Sequence, residues 1–336
     1  MQHHIHHNHK RKRRKVFWLV SLLVISTILI AMYFSNKDSL VVNEKIAVAT
    51  TTKITKPKTT VKPEKIKPQT NGEMSISVFP DSIMQGEPAI IKVNGLSSTT
   101  NVKSFTFDSR PLIFFLYEDE VTAFLGVDLN YATGTFPLVL TMKDGKQIRQ
   151  DFVIKTRPVV RIPFDIPEKL GGNTPQSVKI LFATLAQEAK IVNAIPTGYT
   201  RLWTDKFRSP LDTPIVVEDP YGYTRITGNS TMPHKGTDIR APIGTPVYAM
   251  NRGLVKFTDN LRNYGNTVVI DHGLGLQTVY MHLSEIKVAK DQMVERGDMI
   301  ALSGDTGYVL NPHLHLTVRI WDISIDAMKF LELLGE

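Results

Sequence analysis

The 336-residue chain contains no cysteine. That excludes disulfides, thiolate metal sites and cysteine nucleophiles together, so any bound metal must be held by nitrogen and oxygen donors. An HExxH helix, the common signature of a zinc site with a glutamate base, is also absent. Positive charge is scarce where a nucleic-acid binder would need it. The formal net charge is +8, but residues 1–73 hold fourteen Lys/Arg against four Asp/Glu, and the other 263 residues carry 26 against 28. A globular part with a net charge of −2 lacks the basic face on which nucleic-acid binding depends, which excludes that partner class.

What is present begins with a membrane signal. Residues 16–34, VFWLVSLLVISTILIAMYF, are nineteen uncharged and mostly apolar positions. At about 1.5 Å per residue, a helix of that length roughly spans a bilayer core. The basic run Lys10–Lys15 precedes it, so the positive-inside rule places the tail 1–15 in the cytoplasm and the bulk of the chain outside. The stretch is longer than the apolar core of a signal peptide and lacks a small-x-small site at its end, so it is expected to be a retained single-pass anchor in the cytoplasmic (inner) membrane. Five of the ten histidines lie in the tail, which reads as a segment of biased composition, with metal binding as the alternative. Residues 35–73 are rich in Lys, Thr and Pro and read as an extended linker unable to bury a core.

The rest is mainly β. Seven short strand-like runs between 74 and 158, with Asp144-Gly145 as a hairpin turn, predict an immunoglobulin-like β-sandwich. Residues 159–202 are expected to be a linker holding one amphipathic helix over 174–195, with Thr174 as N-cap and Pro175 at the first helical position. From 203 to 336 strand-like runs return, closed by a helix expected over Ser324–Leu334.

The five histidines outside the tail, His234, His272, His282, His313 and His315, all lie in the last 103 residues. His313 and His315 sit two apart in Pro312-His-Leu-His-Leu316, so on a strand they share a face. His234 and Asp238 are four apart in PHKGTDI, where Pro233 and Gly236 favour a tight loop. Two imidazoles and a carboxylate suit a zinc ion that keeps one position open. His272 beside a turn is expected to be structural, and Asn266, Tyr280 and Ser303 to be core or groove positions.

The blocks HKGTDIRAPIGTPVYA, NYGNTVVIDHGLGLQTVYMHLS, ERGDMIALSGDTG and NPHLHLTV resemble, in order and spacing, those of the lysostaphin/LytM-type zinc metallopeptidases of peptidoglycan metabolism. Leu125-Gly-Val-Asp-Leu129 and Gly134-Thr-Phe-Pro-Leu138 are similar to a β-domain that precedes this module in some members. The resemblance implies an antiparallel β-sheet catalytic domain, one Zn2+, peptidoglycan as substrate, His234, Asp238 and His315 as metal ligands, and His282 and His313 as catalytic histidines. Which histidine is the base stays open. The run Glu218-Asp-Pro-Tyr-Gly-Tyr-Thr-Arg225, Asn311 and Leu316 depart from the family pattern, and are expected to affect the groove rim more than the ligands. The reading is a membrane-anchored zinc endopeptidase. Its alternative is a non-catalytic wall-binding member or activator of another hydrolase, and a cell-envelope partner is a further expectation, with the β-domain or the helix covering the groove until released.

Overall fold

Alternating apolar and polar residues build the first half of the described chain. The computed structural model describes residues 74–336, so the tail, the apolar stretch 16–34 and the linker 35–73 lie outside the described residues. Nine strands come first: β1 (Ser75–Phe79), β2 (Ser82–Met84), β3 (Pro88–Asn94), β4 (Val102–Phe107), β5 (Arg110–Pro111), β6 (Phe114–Tyr117), β7 (Glu120–Gly126), β8 (Gly134–Met142) and β9 (Gln147–Lys155). They form two sheets, ordered β1-β3-β7-β6 and β2-β9-β8-β4-β5. On β9, Phe152 and Ile154 are buried while Asp151, Val153 and Lys155 are exposed, the two-residue period of a strand with one wet face. Ile91, Val93, Phe105, Phe107, Leu138 and Leu140 join them in one core between the sheets. Gly145, at a φ of 91°, closes the β8–β9 turn, and Asp144 accepts a hydrogen bond from the Lys146 amide at 2.9 Å.

The sheet holding β3 and β7 is buried on both faces. Ile90 and Phe124 point away from the first core and enter a second one with Trp203, Ile320 and Ile325. This explains why β7 reads as an almost unbroken apolar run (Val121–Leu125) rather than an alternating one.

The second core belongs to the remaining strands. These are β10 (Arg161–Pro163), β11 (Val217–Asp219), β12 (Thr224–Thr227), β13 (Ser230–Pro233), β14 (Thr237–Arg240), β15 (Pro246–Tyr248), β16 (Gly253–Leu261) and β17 (Gly265–Gly273). β18 (Leu276–Leu283), β19 (Glu285–Ile286), β20 (Met293–Val294), β21 (Met299–Leu302), β22 (His313–Ile320) and β23 (Ile323–Ile325) complete them. The main sheet runs β11-β14-β22-β18-β17-β16-β20, with β23 also pairing β22, and every pairing in it is antiparallel. One face packs Ile239, Val268, Tyr280, Leu314, Leu316 and Val318 into the second core. The other face carries the polar residues of interest.

Helix α1 (Pro175–Asn193) lies across that second face. Thr174 caps it by accepting the Ser177 amide at 3.1 Å, and Pro175 takes the first helical position, where no amide hydrogen is needed. Val192 packs with Val269, Val279 and Met281 of the sheet, while Leu181 packs with Ile166 and Tyr308. Between them the buried Glu188 accepts the amides of Asn263 and Tyr264 at 3.0 and 3.1 Å, tying the helix to the β16–β17 turn. Residues 159–202 are thus more than a tether: β10 pairs in parallel with β12, and α1 covers sheet. No helix among the described residues is long and apolar enough to cross a membrane.

The C-terminal expectation needs correcting. Residues 323–325 are strand β23 against β22, and the helix, α2, is only Ala327–Leu334. Ile-Ser-Ile has the alternation and β-branching of a strand. Asp326 then sets the helix start by accepting the Met328 and Lys329 amides at 3.1 and 3.3 Å.

Candidate metal centre

Strand β22 runs His313-Leu314-His315-Leu316-Thr317-Val318-Arg319. The leucines and Val318 enter the core, so His313, His315, Thr317 and Arg319 occupy the opposite face. β14 lies beside it with Asp238 directly opposite His315, which places the carboxylate against the imidazole. His234 arrives from the end of β13. Gly236 makes the approach possible, because a Cβ there would fall on the His315 ring. The expectation of a loop around Asp238 holds only for His234-Lys235-Gly236; Asp238 itself is on β14.

His282 reaches this face by a different route. Along β18, Leu276 and Tyr280 enter the core and Val279 and Met281 point the other way, so alternation would send residue 282 inward. His282 has instead a φ of 62°, in the left-handed region that side chains avoid. The reversal puts Leu283 into the core and His282 on the site side, with ring centroids 4.9 Å from His313 and 5.7 Å from His315. Strain of this kind costs about 1–3 kcal/mol and is held in place by surrounding contacts.

Three ligand-type atoms converge. His315 Nδ1 and His234 Nε2 lie 2.7 and 3.2 Å from Asp238 Oδ1, and 3.2 Å from each other. Tetrahedral zinc with ligands at about 2.0–2.1 Å needs donor separations of about 3.3 Å, so the set is already close to the spacing such an ion would impose. His234, Asp238 and His315 are the group among the described residues able to hold a metal.

Hydrogen bonds orient every ring. His234 Nδ1 donates its hydrogen bond to the Pro220 carbonyl at 3.1 Å, which keeps the proton on Nδ1 and leaves Nε2 as a lone pair. Thr317 donates its hydroxyl to the Lys235 carbonyl, so toward His315 Nε2, 3.0 Å away, its oxygen accepts; the lone pair of His315 is then on Nδ1. His282 Nδ1 and His313 Nδ1 donate to the Thr306 and Asn311 carbonyls at 2.9 and 2.8 Å. His313 Nε2 is buried without a hydrogen-bond partner. Four imidazoles therefore offer basic nitrogens to one place beside an anionic carboxylate. Such a cluster of acceptors calls for a cation.

Electrostatics agree. Burial alone would raise the Asp238 carboxyl, but His234, Arg225 and His315 overcome it and hold the group well below the usual range. Burial lowers His315 to about 4, with Asp238 only partly opposing. Burial and the neighbouring His313 and His315 hold His282 well below its ordinary value. Burial also works against protonation of His234 and His313, yet Asp238 turns both upward. Metal uptake then competes with protonation of those two rings, which ties affinity to pH.

His272 stands apart from this group. Its Nδ1 and Nε2 bond the Arg252 carbonyl and Thr278 hydroxyl at 2.9 and 2.8 Å, and burial lowers it to about 4. It is a satisfied core residue. Tyr280, Asn266 and Ser303 hold backbone groups of Met250, Leu283 and Pro242. Leu316 is core and Asn311 supplies its carbonyl to His313. The expectation that the 218–225 run bears on the groove rim more than on the ligands needs correcting: Asp219 and Arg225 are buried against the candidate ligand residues, with Arg225 bonded to Asp238 and its Nε 2.7 Å from Asp219.

A cleft of about 370 Å3 opens on the centre. Phe182, Leu185, Ala186 and Ala189 of α1 form one wall, and His234, His282 and His315 lie in its lining. The helix expected over 174–195, one of the two elements expected to cover the groove, lines one side of it.

Residues 232–327 match peptidase family M23. The chain is 38% identical over 173 residues to the peptidoglycan DD-endopeptidase ShyA of Vibrio cholerae, covering 49% of this chain and 40% of that one. It is 44% identical over 104 residues to ShyB of the same organism, covering 31% and 24%. The chain thus spans less than half the length of these relatives. A crystal structure of a putative M23 peptidase from Pseudomonas aeruginosa superposes with a TM-score of 0.52 at 22% identity, over 75% of this chain and 95% of that one, and shares the fold. The match to peptidase family M23 thus falls within the C-terminal domain, the region whose sequence resembles the lysostaphin/LytM-type enzymes.

Proposed function

We propose that the protein is a zinc metalloendopeptidase hydrolysing peptide bonds of bacterial peptidoglycan, held at the outer side of the cytoplasmic membrane by residues 16–34. The linker 35–73 and an immunoglobulin-like β-domain, residues 74–158, would precede its catalytic domain. The observation that carries the reading is the meeting of three ligand-type atoms beside two further imidazoles whose Nδ1 atoms are bonded to backbone carbonyls. The likeness to peptidoglycan endopeptidases supports the substrate class.

His234 Nε2, Asp238 Oδ1 and His315 Nδ1 would hold the zinc. When bound, the ion polarises a water and brings its pKa toward about 7. The residues do the rest. His282 and His313 keep Nε2 basic because backbone carbonyls hold their Nδ1 protons. One of them accepts the water proton and returns it to the leaving amine, and the other, carrying a proton taken from solvent before the reaction and kept through it, hydrogen-bonds the oxyanion. The α1 wall limits how the substrate enters, and a cell-envelope partner acting on this helix would regulate access.

The test is digestion of purified sacculi by residues 74–336, with bound zinc and released muropeptides measured with and without chelator. One zinc per chain and chelator-sensitive release of peptide-cleaved products are expected. Zinc-free protein that binds wall without cleaving it would establish the non-catalytic alternative instead.

A further inference from the structure

Asp219 on β11 lies directly opposite Asp238 on β14. Two carboxylates facing each other across a ladder repel, and here both are buried. The conflict is resolved from a third strand. Arg225 of β12 is buried, its guanidinium 4.1 Å above the Phe164 ring. It gives Nε to Asp219 Oδ2 at 2.7 Å and Nη2 to both Asp219 Oδ2 and Asp238 Oδ2. The other Asp219 oxygen, Oδ1, has no hydrogen-bond partner and lies 3.5 Å from His234 Nδ1. One buried ion pair therefore touches two of the three ligand-type residues from behind.

We propose that Asp219 and Arg225 are positioning residues that make Asp238 a one-oxygen ligand. Arg225 occupies Oδ2, so only Oδ1 is turned to His234 and His315. The planar guanidinium can bridge two carboxylates at once, which an ammonium cannot do in the same geometry. Asp219 cancels the charge that Arg225 brings, so the pair orients Asp238 without neutralising it. Asp219 also sits beside the Nδ1 proton of His234, favouring the tautomer that keeps Nε2 free. The inference rests on the ligand assignment proposed above.

The experiment compares wild type with Arg225→Gln, Arg225→Lys and Asp219→Asn in zinc competition against a chromogenic chelator. Visible spectra of the cobalt-substituted proteins are recorded alongside. Arg225→Gln frees Oδ2 and is expected to weaken zinc binding about 10–100-fold. Its cobalt band should lose intensity as Asp238 turns two-oxygen and the coordination number rises. Arg225→Lys should fall between, and Asp219→Asn should lower zinc affinity less than Arg225→Gln. A variant with wild-type melting, zinc affinity and cobalt spectrum at Arg225→Gln would overturn the proposal. Should Arg225→Gln fail to fold, an Arg225→Lys protein indistinguishable from wild type in both readouts overturns it equally. Wild type that takes up no zinc would remove the ligand assignment itself, a separate failure.

Discussion

The two faces of the main sheet are written on the same strands, one residue out of phase, and obey opposite rules. On the inner face of β22, Leu314, Leu316 and Val318 are wholly buried and make no polar demands. On the outer face, His313 and His315 are nearly as buried, at 8% and 9% exposure, but His313 Nε2 has no partner and His315 Nδ1 meets two other acceptors. Burial on one side stabilises the fold. On the other it stores unsatisfied basic groups that only a cation or a proton can quiet. A purely structural face tolerates apolar exchange; the face that gathers the histidines does not.

Substitutions can break this contrast. The largest effect should come from His315→Ala, which removes a proposed ligand and should cost roughly 10⁴-fold or more in kcat/KM together with zinc content. Full digestion by that variant would sink the assignment. His282→Ala and His313→Ala should keep zinc and lower kcat about 10²–10⁴-fold, the range of general acid–base catalysis. Metal analysis alongside kinetics checks the split, and loss of zinc with either would move that histidine into the ligand set. On the inner face, Leu316→Ala should cost about 2–5 kcal/mol in urea unfolding while zinc stoichiometry is kept.

His272 sharpens the contrast from the structural side. Its folded value of about 4 lies below the ordinary 6.5, so the unfolded chain takes up a proton first as the pH falls. The stability it contributes is complete above about pH 6.5 and lost toward pH 4, about 3 kcal/mol at roughly 1.4 kcal/mol per unit. His272→Gln should flatten that part of the stability–pH curve while leaving zinc binding unchanged. Parallel curves for the two proteins would show that His272 does not titrate as described.

Much of this was legible because strand periodicity is short-range information. Two histidines at spacing two, separated by leucine, already state which way each points, and the DG turn and the Thr174-Pro175 start are equally local. The helix end of the chain misled because Ile323-Ser324-Ile325 pairs with β22, a partner no window of sequence contains. Asp219 and Arg225 were misplaced for the same reason. Nothing within 218–225 says that β11 will lie beside β14, or that β12 will carry a guanidinium between two carboxylates. His282 is a further case: its side of the sheet depends on a backbone reversal, not on its position in the alternation.

That reversal has a consequence for how the chain tolerates change. Upstream of it, β18 is locked in register with β22 from Leu276 to Met281, and Leu283 downstream faces Asn266. A deletion anywhere along this stretch would shift the phase of the strand, so that an imidazole would be driven into hydrocarbon and an aliphatic chain into the cleft. Length, more than composition, is what natural variation in β18 is least free to alter.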